Sequence, residues 1–286
     1  MSPPPILLSA REAGDILAAL EAGDTARVSL DLGRTGTVVR RRGRQVELAA
    51  GQRVDLETLR RIADSPADLF VVEGGRAEKL ARFSEHTQRT YRLRPTPIWP
   101  ALEIGGVLMH RVKGTDPRTD AEAKLALVGP VRGAALDTCC GLGYTAILMA
   151  RTARAVTTIE ADETVLELAR LNPHSRPLWE DPAITLIRGD AAEVVSGMPG
   201  EAFDAVVHDP PTLALAGDLY ADAFYEQLFR VLARGARLLH YVGAPGARHR
   251  RVDLAGRVAG RLRQIGFGEV RRHGALGCVT ARRPRE

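Results

Sequence analysis

From about residue 134 the chain alternates short strand-like runs with amphipathic segments, and that alternation leaves few folds open. The strand-like runs are Ala134–Thr138, Ala155–Ile159, Ile184–Ile187, Phe203–His208 and Arg237–Tyr241. Helical spacing of apolar residues falls between them, near 144–151, 163–171, 191–197, 220–233 and 250–265. In the second of these segments Asp162 can cap the start, Val165, Leu168 and Ala169 make one apolar stripe, and Asn172-Pro173 ends the pattern. Strands that alternate with helices predict a parallel sheet covered on both faces. Glu269–Arg272 and Leu276–Ala281, around Gly274, read as an antiparallel pair added at the sheet edge. The expectation is an α/β chain with a doubly wound, mostly parallel, seven-stranded sheet.

The first 100 residues read as a separate small α+β domain. Val28, Leu30 and Leu32 alternate with polar neighbours as a half-buried strand does, and Val46 and Leu48 repeat the pattern after the Arg42-Gly43 turn. Asp55 stands where it can cap a short helix carrying Leu56, Leu59 and Ile62. Leu69 to Val72 reads as another strand, stopped by Gly74-Gly75. The proline-rich stretch 94–100 is the expected boundary, because proline removes ladder donors and fixes φ. The domains are therefore expected at 1–100 and 101–286, with the alternating core over 133–286. No chemical constellation stands out in the first of them.

Hydrophobic residues make up 45% of the 286 and charged residues 26%, enough for a real core. No apolar run approaches the ~18–20 residues that cross a bilayer. The first residues lack the basic-then-apolar pattern of a secretory leader. Three cysteines, two of them adjacent (Cys139, Cys140), cannot make a disulfide framework, and no spacing reads as a metal site. A cytoplasmic protein without a membrane partner is expected. Charge is uneven: residues 246–286 carry 11 basic against 3 acidic residues, a net +8, while 101–245 carry a net −6. The basic segment can attract a nucleic acid or can be a solvated arginine-rich face. Only Lys79, Lys113 and Lys124 are lysines among 40 basic residues, so arginine is used even where no partner is implied.

The run from Ala134 to Met149 carries the most chemistry. A buried strand ends at Asp137 and passes through Gly141-x-Gly143 directly into a helix. Glycines there allow a tight turn and let backbone N–H groups approach a ligand. Gly141 to Ala146 also satisfies the G-x-G-x-x-A pattern of NAD enzymes, so the turn alone does not choose the ligand. Glu160 follows at the end of the second strand, Asp190 after the third, and Asp209-Pro210-Pro211 after the fourth. Successive acidic residues at the carboxyl ends of strands sit where open α/β sheets bind their ligands.

These four ordered motifs, over about 133–286, resemble the class I S-adenosylmethionine-dependent methyltransferases, with their Rossmann-like fold. The resemblance implies S-adenosylmethionine as cofactor. It also implies that Asp137, Gly141 and Gly143 hold its amino-acid moiety, Glu160 its ribose and Asp190 the adenine amino group. Asp209-Pro210-Pro211 resembles the D/N-P-P-aromatic motif of enzymes that methylate amino nitrogens, which makes Asp209 and Pro210 the implied catalytic residues. Cys139 stands where the family has its first loop glycine, and Thr212 where it has an aromatic residue that stacks on a planar acceptor. Residues 216–235, with Tyr220, Tyr225 and Gly235, also resemble spermidine synthases, which transfer an aminopropyl group from decarboxylated cofactor. Those enzymes place a second Asp just after the first, where this chain has Pro210, Pro211 and Thr212, so aminopropyl transfer ranks as the alternative. The combination looks most like an archaeal-type methyltransferase family that shares both traits, with an unidentified methyl acceptor as partner.

Overall fold

Leu136, Val206 and Leu238 lie completely buried on three adjacent strands of one twisted sheet. The structure, a computed structural model, describes residues 5–213, 216–243 and 253–286. Its largest sheet comprises Ala134–Asp137 (β1), Ala155–Glu160 (β2), Ile184–Arg188 (β3), Phe203–His208 (β4), Leu232–Tyr241 (β5), Gly268–His273 (β6) and Cys278–Arg282 (β7). The order is β3-β2-β1-β4-β5-β7-β6. The first five strands are parallel, with Leu136 opposite both Thr157 and Val206. β7 returns antiparallel against β5 and β6 pairs antiparallel with β7, so the expected hairpin does form the edge. The α/β fold and its seven strands are those read from the alternation. Strand order reverses between β1 and β4, and the crevice at such a switch point is where these sheets bind ligands.

One face of this sheet is closed by two helices whose apolar residues recur at helical spacing. Asp222–Val231 buries Phe224, Leu228 and Val231, and Leu254–Ile265 buries Val258 and Leu262. Asp253 caps the second through Gly256 N–H at 2.9 Å, and Gly266, at φ 113°, ends it. Together with Ile159, Val195 and Phe267 they form one contiguous core. No helix among the described residues is long and apolar enough to cross a membrane.

The chain divides into two compact units, Met1–Pro117 with Arg170–His174, and Arg118–Ala169 with Ser175–Glu286. The first therefore takes in residues beyond the proline-rich stretch, because Ala101–Ile104 pairs antiparallel with Arg89–Arg94. Among the described residues 5–117 it contains three antiparallel sheets and two helices, Ala10–Ala22 and Leu56–Ala63, around Ile16, Leu59, Ile62 and Phe70. Ser9 and Glu12 close a capping box on the first of these helices.

Four local expectations are corrected. The strand through Val28 ends there, and Leu30 and Leu32 are buried without joining it. Asp31 is the reason: its carboxylate accepts from Thr35 N–H (2.8 Å), Thr35 Oγ1 (2.7 Å) and Ser29 Oγ (3.0 Å), a polar turn that competes with the ladder. Asp55 precedes its helix but does not cap it, because its carboxylate accepts from Gln45 Nε2 at 3.2 Å. The expected helix 220–233 is Asp222–Val231, preceded by a 3-10 turn over Gly217–Tyr220. β5 then starts at Leu232, five residues earlier than Arg237, because Leu232 pairs with Phe203 across an irregular register.

Candidate active site

Asp137, the last residue of β1, is fully buried. Thr145 and Thr158 donate their hydroxyls to its Oδ2, each at 3.0 Å. Its Oδ1 has no hydrogen-bond partner among the described residues. Burial pushes this carboxyl up to about 7, against the two threonine hydroxyls, and the negative charges of Asp209 and Glu160 add to the rise. A buried oxygen left unpaired is costly, so Asp137 Oδ1 is free to take a further polar or cationic partner.

The turn after β1 is held by Cys140 N–H to Ile159 O (2.7 Å) and Gly143 N–H to Cys140 O (2.8 Å). Gly141 and Gly143 have φ of 56° and 79°, the left-handed region that favours glycine. Beside Gly141 a Cβ would point into open space, whereas at Gly143 it would meet the Leu178 side chain at 2.5 Å. The first glycine therefore leaves the loop backbone open to a ligand, and the second lets the helix Tyr144–Ala150 pack closely. Burial pushes the Cys139 and Cys140 thiols well above their ordinary value, so neither serves as a thiolate.

Glu160 ends β2 and binds this turn directly. Its Oε2 accepts from Gly141 N–H at 2.7 Å and its Oε1 from Asp162 N–H at 2.9 Å. Desolvation pushes it up to about 7, while those two amides work in the opposite direction. Each carboxylate oxygen has a second lone pair, so the group can still accept two hydroxyls. Asp190 lies two residues beyond β3 and caps the helix Ala191–Ser196 through the amides of Ala192 (2.8 Å) and Glu193 (3.1 Å). Both bonds use Oδ1. Gly189 N–H donates to Glu160 O (3.0 Å), which ties the ends of β2 and β3 together.

Asp209 follows β4, with Pro210 buried behind it. Its Oδ2 lies 2.9 Å from the Lys124 ammonium, which also pairs with Asp120 at 3.0 Å and sits 3.7 Å from the centre of the Tyr241 ring. The sequence motifs single out neither Lys124 nor Asp120 as a site residue. A faint signal existed: Asp120 and Lys124 stand four apart on one helix, and Lys124 is a rare lysine in an arginine-rich chain. Burial works to lower the Lys124 pKa, but Asp209 and Asp120 outweigh it and hold the group above its ordinary value.

His208 and His240 lie side by side on β4 and β5, both fully buried. Leu219 O accepts from His208 Nε2 (2.9 Å), so its Nδ1 takes the Thr138 hydroxyl (2.7 Å). His208 O likewise accepts from His240 Nδ1 (3.2 Å), which leaves Nε2 to the Tyr225 hydroxyl (3.1 Å). Burial drives His208 down to about 4 and His240 well below its ordinary value, so both rings are neutral near pH 7. They brace the backbone entering Asp209. The Tyr220 hydroxyl donates to Pro211 O (3.1 Å) just beyond it.

In the basic carboxyl-terminal segment, residues 246–252 lie outside the described residues. Several arginines further on bind their own chain. Arg283 donates to the carbonyls of Phe229, Arg230 and Leu232, Arg272 pairs with Asp253, and Arg261 donates to Tyr220 O.

A methyltransferase domain family matches residues 135–235, and with a sheet in this order and a glycine turn after β1 the chain is a class I S-adenosylmethionine-dependent methyltransferase. The chain belongs to the same family as the uncharacterised protein MJ1233 of Methanocaldococcus jannaschii, to which it is 43% identical over 235 residues, 82% of this chain and 80% of that one. It is also similar to polyamine aminopropyltransferase 2 of Streptomyces coelicolor, 34% identical over 162 residues, 52% of this chain and 29% of that enzyme. Putrescine N-methyltransferase 2 of Nicotiana tabacum is 29% identical over 139 residues, 47% of this chain and 39% of that enzyme. The chain thus matches less than half the length of either polyamine enzyme.

Proposed function

We propose that this methyltransferase transfers the methyl group of S-adenosylmethionine to a nitrogen nucleophile presented by Asp209 and Pro210. The observation that carries the reading is Asp209 itself. It stands just past β4 at the switch point, is 27% exposed at the side chain, and uses only Oδ2 for protein partners among the described residues. Oδ1 and the Pro210 carbonyl can then accept the N–H hydrogens of an acceptor and aim its lone pair. The cofactor fits the residues present. The orphaned Asp137 Oδ1 suits its cationic amino-acid end, the open backbone at Gly141 its close approach, and the spare lone pairs of Glu160 its ribose hydroxyls. Asp190 keeps Oδ2 for the adenine amino group. Once bound, S-adenosylmethionine supplies an electrophilic methyl on a sulfonium.

The chain's part is to position, desolvate and stabilise charge. Asp209 orients the nitrogen while its lone pair forms the C–N bond and the C–S electron pair stays on sulfur. The same carboxylate offsets the positive charge that grows on nitrogen and receives the proton that nitrogen then loses. Pro210 and Pro211 restrict the backbone, so the carboxylate is set before the acceptor arrives. Aminopropyl transfer is the second reading: Asp120 supplies the further carboxylate that a cationic amine would need beside Asp209, but the Lys124 ammonium already occupies both, which ranks this reading below methyl transfer.

Incubation with methyl-labelled cofactor and fractionated extract, with decarboxylated cofactor in parallel, tests both. Label recovered as N-methyl in one fraction is expected. Label on oxygen or carbon, or turnover only with decarboxylated cofactor, would overturn the proposal. Glu160→Ala is expected to weaken cofactor binding by about 1.5–3 kcal/mol, the loss of hydrogen bonds to a charged acceptor. It also frees the Gly141 and Asp162 amides, so the melting temperature of the cofactor-free protein should fall with it. Calorimetry showing unchanged affinity would displace the ribose from Glu160.

A further inference from the structure

We infer that Lys124 is a specificity-determining residue that keeps cationic amines, polyamines above all, away from Asp209 and so favours an acceptor that carries no charge at neutral pH. The inference rests on the reading of Asp209 as the group that faces the acceptor. The Lys124 ammonium has a complete shell: Asp209 Oδ2 at 2.9 Å, Asp120 Oδ2 at 3.0 Å and the Tyr241 ring centre at 3.7 Å. Two carboxylates and an aromatic face are what recognises an alkylammonium. A lysine side chain, four methylenes ending in a primary ammonium, is chemically one end of a diamine. In this chain the place that would hold a polyamine's charge is filled from within.

The occupant is not easily displaced. The Lys124 side chain is 8% exposed and that of Asp120 5%, and taking one partner from a buried ion pair leaves an uncompensated charge. Its positive charge also persists, because Asp209 and Asp120 outweigh the effect of burial. Of the other titratable groups facing this cluster, Tyr241 is held up to about 12, chiefly by burial, and so brings no negative charge at neutral pH. A cationic acceptor approaching Asp209 would meet a like charge already bound to the same carboxylate. A neutral N–H group meets no such penalty. It can donate to Oδ1 and keep its lone pair for the methyl. An amide or an exocyclic amino group of a base meets this requirement.

Isothermal calorimetry with putrescine as probe tests the inference on the full chain, with Lys124→Ala and Lys124→Met alongside the unaltered protein. The unaltered chain should give no measurable putrescine binding in the low-millimolar range. Lys124→Ala vacates the shell, and Lys124→Met keeps its volume but removes the charge. Whichever variant retains the cooperative melt of the folded protein should bind putrescine at least about tenfold more tightly, and high salt should abolish the gain. Adding Asp120→Asn should remove most of it. Micromolar binding or N-methylation of putrescine by the unaltered chain overturns the inference, as does a folded variant that gains nothing. Because the readout is amine binding, it is independent of label transfer. Failure of the methylation reading would instead appear as no labelled acceptor, or as full activity after Asp209→Asn.

Discussion

Asp209→Asn is expected to lower kcat by about 10²-fold or more while leaving S-adenosylmethionine affinity nearly unchanged, the range for electrostatic and general-base groups. The substitution keeps the shape of the side chain and an acceptor oxygen, so the bond from Lys124 at 2.9 Å can persist. What disappears is the charge that offsets the cation developing on nitrogen and the capacity to take its proton. The cofactor contacts assigned to Asp137, Gly141 and Glu160 lie on or just after β1 and β2, that of Asp190 follows β3, and none of them involves Asp209. Steady-state kinetics together with cofactor calorimetry separate the outcomes. Equal losses in binding and turnover would mean that Asp209 holds the cofactor. A fully active variant would remove it from the chemistry. His208 is then no substitute, because its ring is neutral, fully buried and committed to Thr138 and Leu219.

Asp137→Asn is expected to make the cofactor-free protein more stable than the unaltered chain above pH 7, by an amount of the order of 4 kcal/mol for a shift near three pH units. In the unfolded chain this carboxyl ionises near its ordinary value, 3.8, whereas in the fold burial holds the proton to about 7. Between those values the native state binds the extra proton, so stability falls as pH rises and levels off above 7. Asparagine is a neutral mimic of the protonated carboxyl and can still accept the Thr145 and Thr158 hydroxyls. Glu160 slopes in the same direction, so the variant should flatten the profile only in part. Thermal melts from pH 5 to 8 check this, and parallel profiles for the two proteins would show that Asp137 is not protonated in the fold. The same titration touches function. A cationic cofactor favours the ionised form, so cofactor affinity should rise towards pH 7 in the unaltered chain and less in the variant.

Much of the site was legible because its parts are local. The glycine turn shows as Gly141-x-Gly143 directly after a buried strand, and the structure gives both glycines the positive φ that such a turn demands. Asp190 was readable as an acid between strand and helix, and its capping bonds to Ala192 and Glu193 are what a residue at that place does. The early start of β5 was not legible, because Leu232 joins the sheet by pairing with Phe203, far off in the chain. Nor was the end of the strand at Val28, where Asp31 folds Ser29 and Thr35 into a turn although Leu30 and Leu32 are as apolar as strand residues.

By itself the sequence determined the alternation of strands and helices, the order of the four motifs and the residue types at the strand ends. These follow from hydrophobic period and turn chemistry, which act over a few residues. The tertiary structure alone decided which charges meet and which protons stay. Lys124 reaches Asp209 across 85 positions of chain, and no local pattern marks that pair. Asp137 holds its proton up to about pH 7, and His208 and His240 stay neutral, because of what packs around them. Desolvation depends on the whole surrounding shell, and that shell exists only once distant segments have come together.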